Sequence, residues 1–417
     1  MAAGGGRRLT RLSFADACAF LFPRTTGRIK WSLAPTEALL AVLGHPERHF
    51  PAIHVGGTNG KGSTCAFLSA ELEARGLTVG LYTSPHLVSV RERCLVNGAP
   101  ISEDAFAEWT SVLQPHIEEH GASFFEATTA IAFADLAARG VDIAVIEVGL
   151  GGRLDSTNVI TPLVSVVTKI ALEHTDYLGP DLASIAREKA GIAKPGVPFV
   201  TGESDPEVRR VLIREAERRG ANPVLLVDTG RPPTETRLGL RGPHQWANAW
   251  VAQAALSLLP PSFGVVGDEI PASFAAARVP GRFDVRGPWI FDVAHNPDGI
   301  GVLVEALVEH RPARPLHALV GIRNDKDWRP MLERLLPAVD RVVLTVAPSV
   351  PHHQRWMAAE LGGFTNDRIM GQPVVFEPEF DAALALAQDG AATTLVTGSF
   401  HTVGDALARL PGFAPVG

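Results

Sequence analysis

The stretch Phe50–Thr64, reading FPAIHVGGTNGKGST, sets a short apolar run before a glycine-rich loop that carries Lys61 and Ser63. Apolar positions Phe67, Leu68 and Leu72 follow at helical spacing. Strand, loop and helix in that order make a phosphate cradle. The glycines let successive backbone N–H groups turn toward phosphate oxygens, the helix start adds its positive end, and a lysine reaches the outer phosphates. The usual loop ends Gly-Lys-Ser/Thr, whereas here Gly62 separates Lys61 from Ser63. A chance glycine-rich turn is the competing explanation. The strand-like Ile53-His-Val55 and the helical pattern after the loop favour phosphate binding.

Other polar residues follow other apolar runs, where open α/β sheets place ligands. Glu126 lies in Phe124-Phe-Glu-Ala-Thr-Thr129, Glu147 closes a run into the glycine-rich Gly149–Asn158, and His174 lies in Leu172–Asp176. Taken singly, such carboxylates are more often caps or ion-pair partners, and such histidines structural. Beside a phosphate loop they gain weight. A nucleotide site needs Mg²⁺, which takes oxygen ligands from one or two protein groups plus phosphates and water, so Ser63 and Glu126 are metal candidates. His174 is an unusual ligand for that ion, and spacing does not assign it. Lys189 reads as a solvated helix lysine beside a glutamate. Asp292-Val-Ala-His-Asn-Pro297 and Asp325-Lys-Asp327 fit helix capping as well as catalysis.

These residues must be positioned by alternating strands and helices. Thr78–Tyr82, Val141–Val148 and Leu163–Ile170 read as strands, a helix runs from the loop to about Arg75, and Ala127–Ala138 and Gln245–Leu258 read as helices. After the turn-rich Val279–Pro288 the alternation restarts, with strands at Trp289–Phe291, Leu316–Val320, Arg341–Val346, Val374–Phe376 and Thr394–Thr397. The expected fold is α/β in two domains, 1–284 and 285–417, each with a largely parallel sheet. A length of 417 residues suits two cores. A net charge of −7 argues against a nucleic-acid partner. Three distant cysteines, Cys18, Cys65 and Cys94, suggest a reducing compartment and no disulfide framework. The basic start is not a secretory signal, and no apolar run approaches the roughly 20 residues that span a bilayer, so a cytoplasmic protein without a membrane partner is expected.

The set Gly57–Ser63, Thr83-Ser-Pro-His-Leu87, Phe125-Glu126, Glu147–Asp155, His174-Thr-Asp176, Arg187–Gly191, Pro280-Gly-Arg282 and Asp292–Pro297 resembles the folylpolyglutamate synthase/dihydrofolate synthase family of the Mur ligase superfamily. The matches keep their order from about residue 26 to Gly398–Val403, nearly the whole chain. The shifted Gly-Lys-Gly-Ser loop is that superfamily's form. The resemblance implies a P-loop NTPase-like N-terminal domain with helices on both sheet faces and a smaller Rossmann-like C-terminal domain.

It also implies the chemistry. ATP phosphorylates a substrate carboxylate, and glutamate's amino group attacks the acyl phosphate to give an amide. The substrates would be dihydropteroate, a reduced folate, or both, with L-glutamate. Thr58, Asn59, Gly60, Lys61, Gly62 and Ser63 would hold ATP, joined by Asn248, Arg282, Asp292 and His295. Ser63 and Glu126 would bind one Mg²⁺ and His174 help bind a second. Lys189 would be carbamylated, and Lys61, Lys189, His174 and His295 would be the catalytic group. Ser84, Pro85, His86 and Asp155 would face substrate, and Lys326 the incoming glutamate. A monomer is expected. The chain departs from the family pattern at Glu173, usually Asp, and in the pterin-side segment Arg28–Leu33. Two alternatives stand beside this reading. A peptidoglycan-type amide ligase places a nucleotide-sugar domain before the loop, where this chain has 55 residues before Gly56. A phosphate-loop switch would hydrolyse nucleotide without co-substrates. A catalytically silent nucleotide-binding module is disfavoured by Glu126, His174 and Lys189.

Overall fold

Runs of β-branched and small apolar residues form strands buried on both faces, as crossover helices require of parallel sheets. All five residues of β1, Ala52–Gly56, are buried, as are all five of β5, Ile143–Glu147. This computed structural model describes residues 11–26, 32–229, 236–264, 267–357, 368–369 and 372–414. The glycine-rich start and most of the pterin-side segment, residues 28–31, lie outside them.

The first sheet adds β2 (Val79–Tyr82), β3 (Cys94–Val96), β4 (Ala99–Pro100), β6 (Val164–Val167), β7 (Phe199–Thr201) and β8 (Val224–Leu226). Its order is β4-β3-β2-β5-β1-β6-β7-β8. β2, β5, β1, β6, β7 and β8 run parallel, and β3 and β4 form an antiparallel edge. Register fixes what meets at the carboxyl ends: Val55 pairs with Glu147 on one side and Val166 on the other. The loop after β1 therefore opens between Glu147 and the residues that follow β6.

The second sheet contains β9 (Asp284–Arg286), β10 (Trp289–Asp292), β11 (Leu316–Val320), β12 (Arg341–Leu344), β13 (Arg368–Ile369), β14 (Gln372–Phe376) and β15 (Thr393–Thr397), in the order β13-β14-β12-β11-β15-β10-β9. Its five inner strands are parallel, with antiparallel β13 and β9 at the edges. Alternate residues feed two cores. Ile290, Ala318, Val342 and Leu395 pack in one, and Phe291, Leu319, Val343 and Val396 in the other.

The chain divides into two compact units. One draws on the chain up to Ser84, on Arg91–Asp228 and on Val251–Glu269; the other on Pro85–Val90, Thr229–Trp250 and the chain from Ile270 onward. The division expected after Asp284 falls inside β9. Every expected strand is present, with β2, β5, β6 and β12 shorter than expected, β1, β10, β14 and β15 longer, and β11 as expected. The helix expected from Ala127 begins at Phe124, because Ser123 and Glu126 form a capping box there. Among the described residues no helix is long and apolar enough to cross a membrane.

Candidate functional site

The phosphate loop is braced from behind. Thr58 and Asn59 donate their backbone N–H groups to the Lys169 carbonyl at 2.8 and 3.2 Å, and Thr168 Oγ1 lies 2.8 Å from the Asn59 carbonyl. Gly57 is obligatory in this arrangement: its φ is +134°, and a Cβ there would sit 1.9 Å from Thr168 Oγ1. The helix Lys61–Ala74 then starts, with its first bond from Thr64 N–H to the Gly60 carbonyl at 2.9 Å. The amides of residues 61 to 63 have no intrahelical acceptor, which is the arrangement that receives an anion. Lys61 Nζ folds back onto the Thr58 carbonyl at 3.1 Å, and Ser63 is buried at the helix start.

The structure separates the two candidate carboxylates. Glu126 Oε2 accepts from Ser123 N–H at 2.6 Å, closing the capping box of its own helix. Glu147 stands at the loop: its Oε1 lies 3.9 Å from where a Cβ on Gly62 would be, and its Oε2 accepts from Ser84 N–H at 3.0 Å. The carboxylate brought to the phosphate loop is thus Glu147, where sequence reasoning had chosen Glu126. The signal was legible, since Ser123-x-x-Glu126 is itself a capping-box pattern.

Lys189 ends the helix Leu182–Ala190 and is 5% exposed. Its Nζ donates to the Gly57 carbonyl at 2.8 Å. Burial, with the Lys61 ammonium adding repulsion, pulls its pKa from 10.5 down to about 7, against the opposing carboxylates of Glu173 and Asp155. It is not the solvated lysine its helical context suggests. Gly152 makes the burial possible, because a Cβ there would lie 2.7 and 2.8 Å from the carbonyls of Glu188 and Lys189.

Segment 169–174 runs along the same loop, with Thr58 Oγ1 donating to the Ala171 carbonyl at 3.2 Å. His174 takes a left-handed backbone, φ 53°, and its Nε2 is 3.7 Å from Glu173 Oε1. Asp155, expected to face substrate, is buried and serves its own turn. It accepts from Leu150 N–H at 2.8 Å, Thr157 N–H at 3.0 Å and Thr157 Oγ1 at 2.5 Å. The Thr157 hydroxyl has one proton, given to Asp155, so His54 Nε2, 2.8 Å away, must be the donor in that pair. Burial pushes the His54 pKa down to about 3 and keeps the ring neutral.

The second unit gathers another set. Asp292 accepts from Phe283 N–H at 2.8 Å and Ala294 N–H at 2.9 Å. Burial raises its pKa, while Arg282 and His295 pull it down. The Arg282 guanidinium lies 5.5 Å from the centre of the Phe400 ring, and the His295 ring 5.4 Å from it. His295 Nδ1 donates to the Val293 carbonyl at 2.8 Å. Asn248 is buried and donates to Gln245 Oε1 at 3.0 Å. Lys326 is half-buried in the turn before the helix Trp328–Leu335. Pro85 is exposed and His86 half-buried in the short stretch Pro85–Val90.

Two family models match the chain: Mur ligase middle domain over residues 55–232 and Mur ligase, glutamate ligase domain over residues 281–400. The chain is 35% identical over 355 residues to the dihydrofolate synthase/folylpolyglutamate synthase of Bacillus subtilis, covering 78% of this chain and 83% of that protein. The chain belongs to the folylpolyglutamate synthase/dihydrofolate synthase family. Solved structures of family members superpose along most of its length. Escherichia coli FolC in complex with DHPP and ADP gives a TM-score of 0.83 at 32% identity, covering 95% and 97% of the two chains. The bifunctional synthase of Yersinia pestis complexed with AMPPNP and Mn ion gives 0.81 at 30% identity, covering 97% and 99%.

Proposed function

We propose that this protein is an ATP-dependent, ADP-forming ligase of folate metabolism that joins L-glutamate to dihydropteroate, to (poly)glutamylated tetrahydrofolate, or to both. Family membership supports the reaction class. The carrying observation is the convergence of Lys61, Lys189 and Gly57 at one loop with a buried amine near neutrality.

ATP phosphates settle on the amides of residues 61 to 63, and Lys61 swings from the Thr58 carbonyl to the outer phosphates. A substrate carboxylate attacks the terminal phosphorus and ADP leaves. Phosphorylation removes the carboxylate's charge and supplies a leaving group, so glutamate's amine attacks the carbonyl carbon, expels phosphate and loses a proton to give the amide. Most of the catalysis is positioning and charge neutralisation. Relatives bound ADP, AMPPNP and Mn ion, and the residues here fit a divalent cation: the Ser63 hydroxyl and Glu147 carboxylate are hard oxygen donors beside the helix start, with His174 on the adjoining segment. Mg²⁺, two ions per site, is the proposed metal, and when bound it offsets the phosphate charge.

A neutral Lys189 Nζ can add to CO₂, forming an N–C bond and releasing a proton, and the carbamate would place a negative charge beside Lys61. Arg282, Asp292, His295 and Asn248 are proposed for ATP, Ser84, Pro85 and His86 for the folate, and Lys326 for glutamate. The functional division is placed after Asp284. A cytoplasmic monomer completes the proposal. The test supplies ATP, Mg²⁺ and glutamate with dihydropteroate or tetrahydrofolate and follows ADP. Release that requires both acceptor and glutamate is expected; equal release without them would indicate a nucleotide switch.

A further inference from the structure

The last turn of the helix Glu103–His120 carries three ligating side chains that the proposed reaction does not use. His116, Glu119 and His120 each offer one ligand atom, and these atoms all lie within 4.8 Å of one another. Residues three and four apart on a helix share a face, which is why they meet. His116 Nδ1 is already 3.7 Å from Glu119 Oε2, and the three side chains face solvent or its edge. Leu113 and Ile117 on the other side are fully buried, so the helix cannot rotate to hide the trio.

The turn is held helical to its end. Ala122 N–H bonds the Ile117 carbonyl at 3.0 Å and Gly121 N–H bonds the Glu118 carbonyl at 3.3 Å, with Gly121 left-handed at φ 57°, ψ 42°. This paired closure keeps His120 one turn beyond His116 and prevents fraying. The carbonyl end of the helix also carries partial negative charge, which favours a cation there.

We infer that His116, Glu119 and His120 form a binding site for one divalent transition ion of the nickel, zinc or copper type. Two imidazole nitrogens with one carboxylate select such ions over Mg²⁺ and Ca²⁺, which prefer all-oxygen surroundings. Metal–nitrogen bonds of about 2.1 Å bring ligand atoms closer than they now lie, and exposed side chains reach that spacing by small rotations while water completes the coordination. The ion ties the final turn together. Because it binds the folded chain, it raises the unfolding temperature.

Ni²⁺ is titrated calorimetrically into the full chain in saturating Mg²⁺, and thermal unfolding is followed with and without Ni²⁺. One ion per chain and an upward Tm shift are expected. His116→Ala and His120→Ala should each weaken binding by more than the roughly 10–100-fold carried by the outer partners of a ligand, and remove the Tm shift. Glu118→Ala should leave both intact, and ligation without Ni²⁺ should be unchanged in all three. Binding that survives the double variant H116A/H120A, or an absence of binding to the wild-type chain, overturns the site. Wild-type Ni²⁺ displaced by millimolar Mg²⁺ overturns it as well, independently of how the variants fold.

Discussion

At the scale of single residues, the two glutamates make the sharpest contrast. Glu147→Ala is expected to lower kcat by at least about 100-fold with little change in Tm, because it removes charge facing the phosphate loop. Glu126→Ala should do the reverse, destabilising the fold by about 1 kcal/mol through loss of a cap while turnover persists. Steady-state ADP release and urea unfolding of the pair decide it. Lys61→Ala should abolish measurable ligation. For Lys189 the sign follows from linkage. Its folded pKa of about 7 lies below the ordinary 10.5, so the unfolded chain binds more protons between those values and stability falls as pH drops through that window. In CO₂-free buffer, Lys189→Met should therefore gain urea resistance over wild type as pH falls from about 9 to about 7, while losing ligation. Lys189→Ala should also lack the carbamate carbon signal that ¹³C-bicarbonate gives the wild-type protein, and short carboxylates should restore part of its activity.

At the scale of elements, the loop depends on what lies behind it. Gly57→Ala forces a methyl group into Thr168 and should weaken ATP binding as well as stability, read by nucleotide titration and thermal unfolding. Thr168 itself was invisible in the sequence, since 112 residues separate it from the Gly56 carbonyl that its hydroxyl also approaches. The loop was legible for the opposite reason: strand, glycines, lysine and helix are contiguous. Most inner parallel strands were legible because burial on both faces writes apolar runs, but β7, buried and parallel on both sides, is only three residues long and was not. β3, β4 and β13 were not, being two or three residues long, antiparallel, and too short for any period to show. Lys189 was misread because nothing local reveals that Gly152 lets a distant turn close over it. The contacts of Asp155 were hidden for the same reason, since nothing local reveals that its carboxylate accepts from Leu150 and Thr157.

At the scale of the molecule, each compact unit is assembled from separate stretches of chain. Phe283 lies in the core of the second unit, and Leu87 packs there so closely that a Cβ on Gly404 would be 2.0 Å from its carbonyl oxygen. A fragment of residues 285–417 should therefore melt lower than the intact chain and bind more hydrophobic dye. The same interleaving governs how the protein can be recombined with its relatives. A chimera made with one crossover near residue 270 would keep Pro85–Val90 and Thr229–Trp250 from the wrong parent. Exchange of the glutamate-ligase half between two synthases calls for three transplanted stretches, and shuffling libraries should recover active hybrids chiefly among clones that inherit all three from one source.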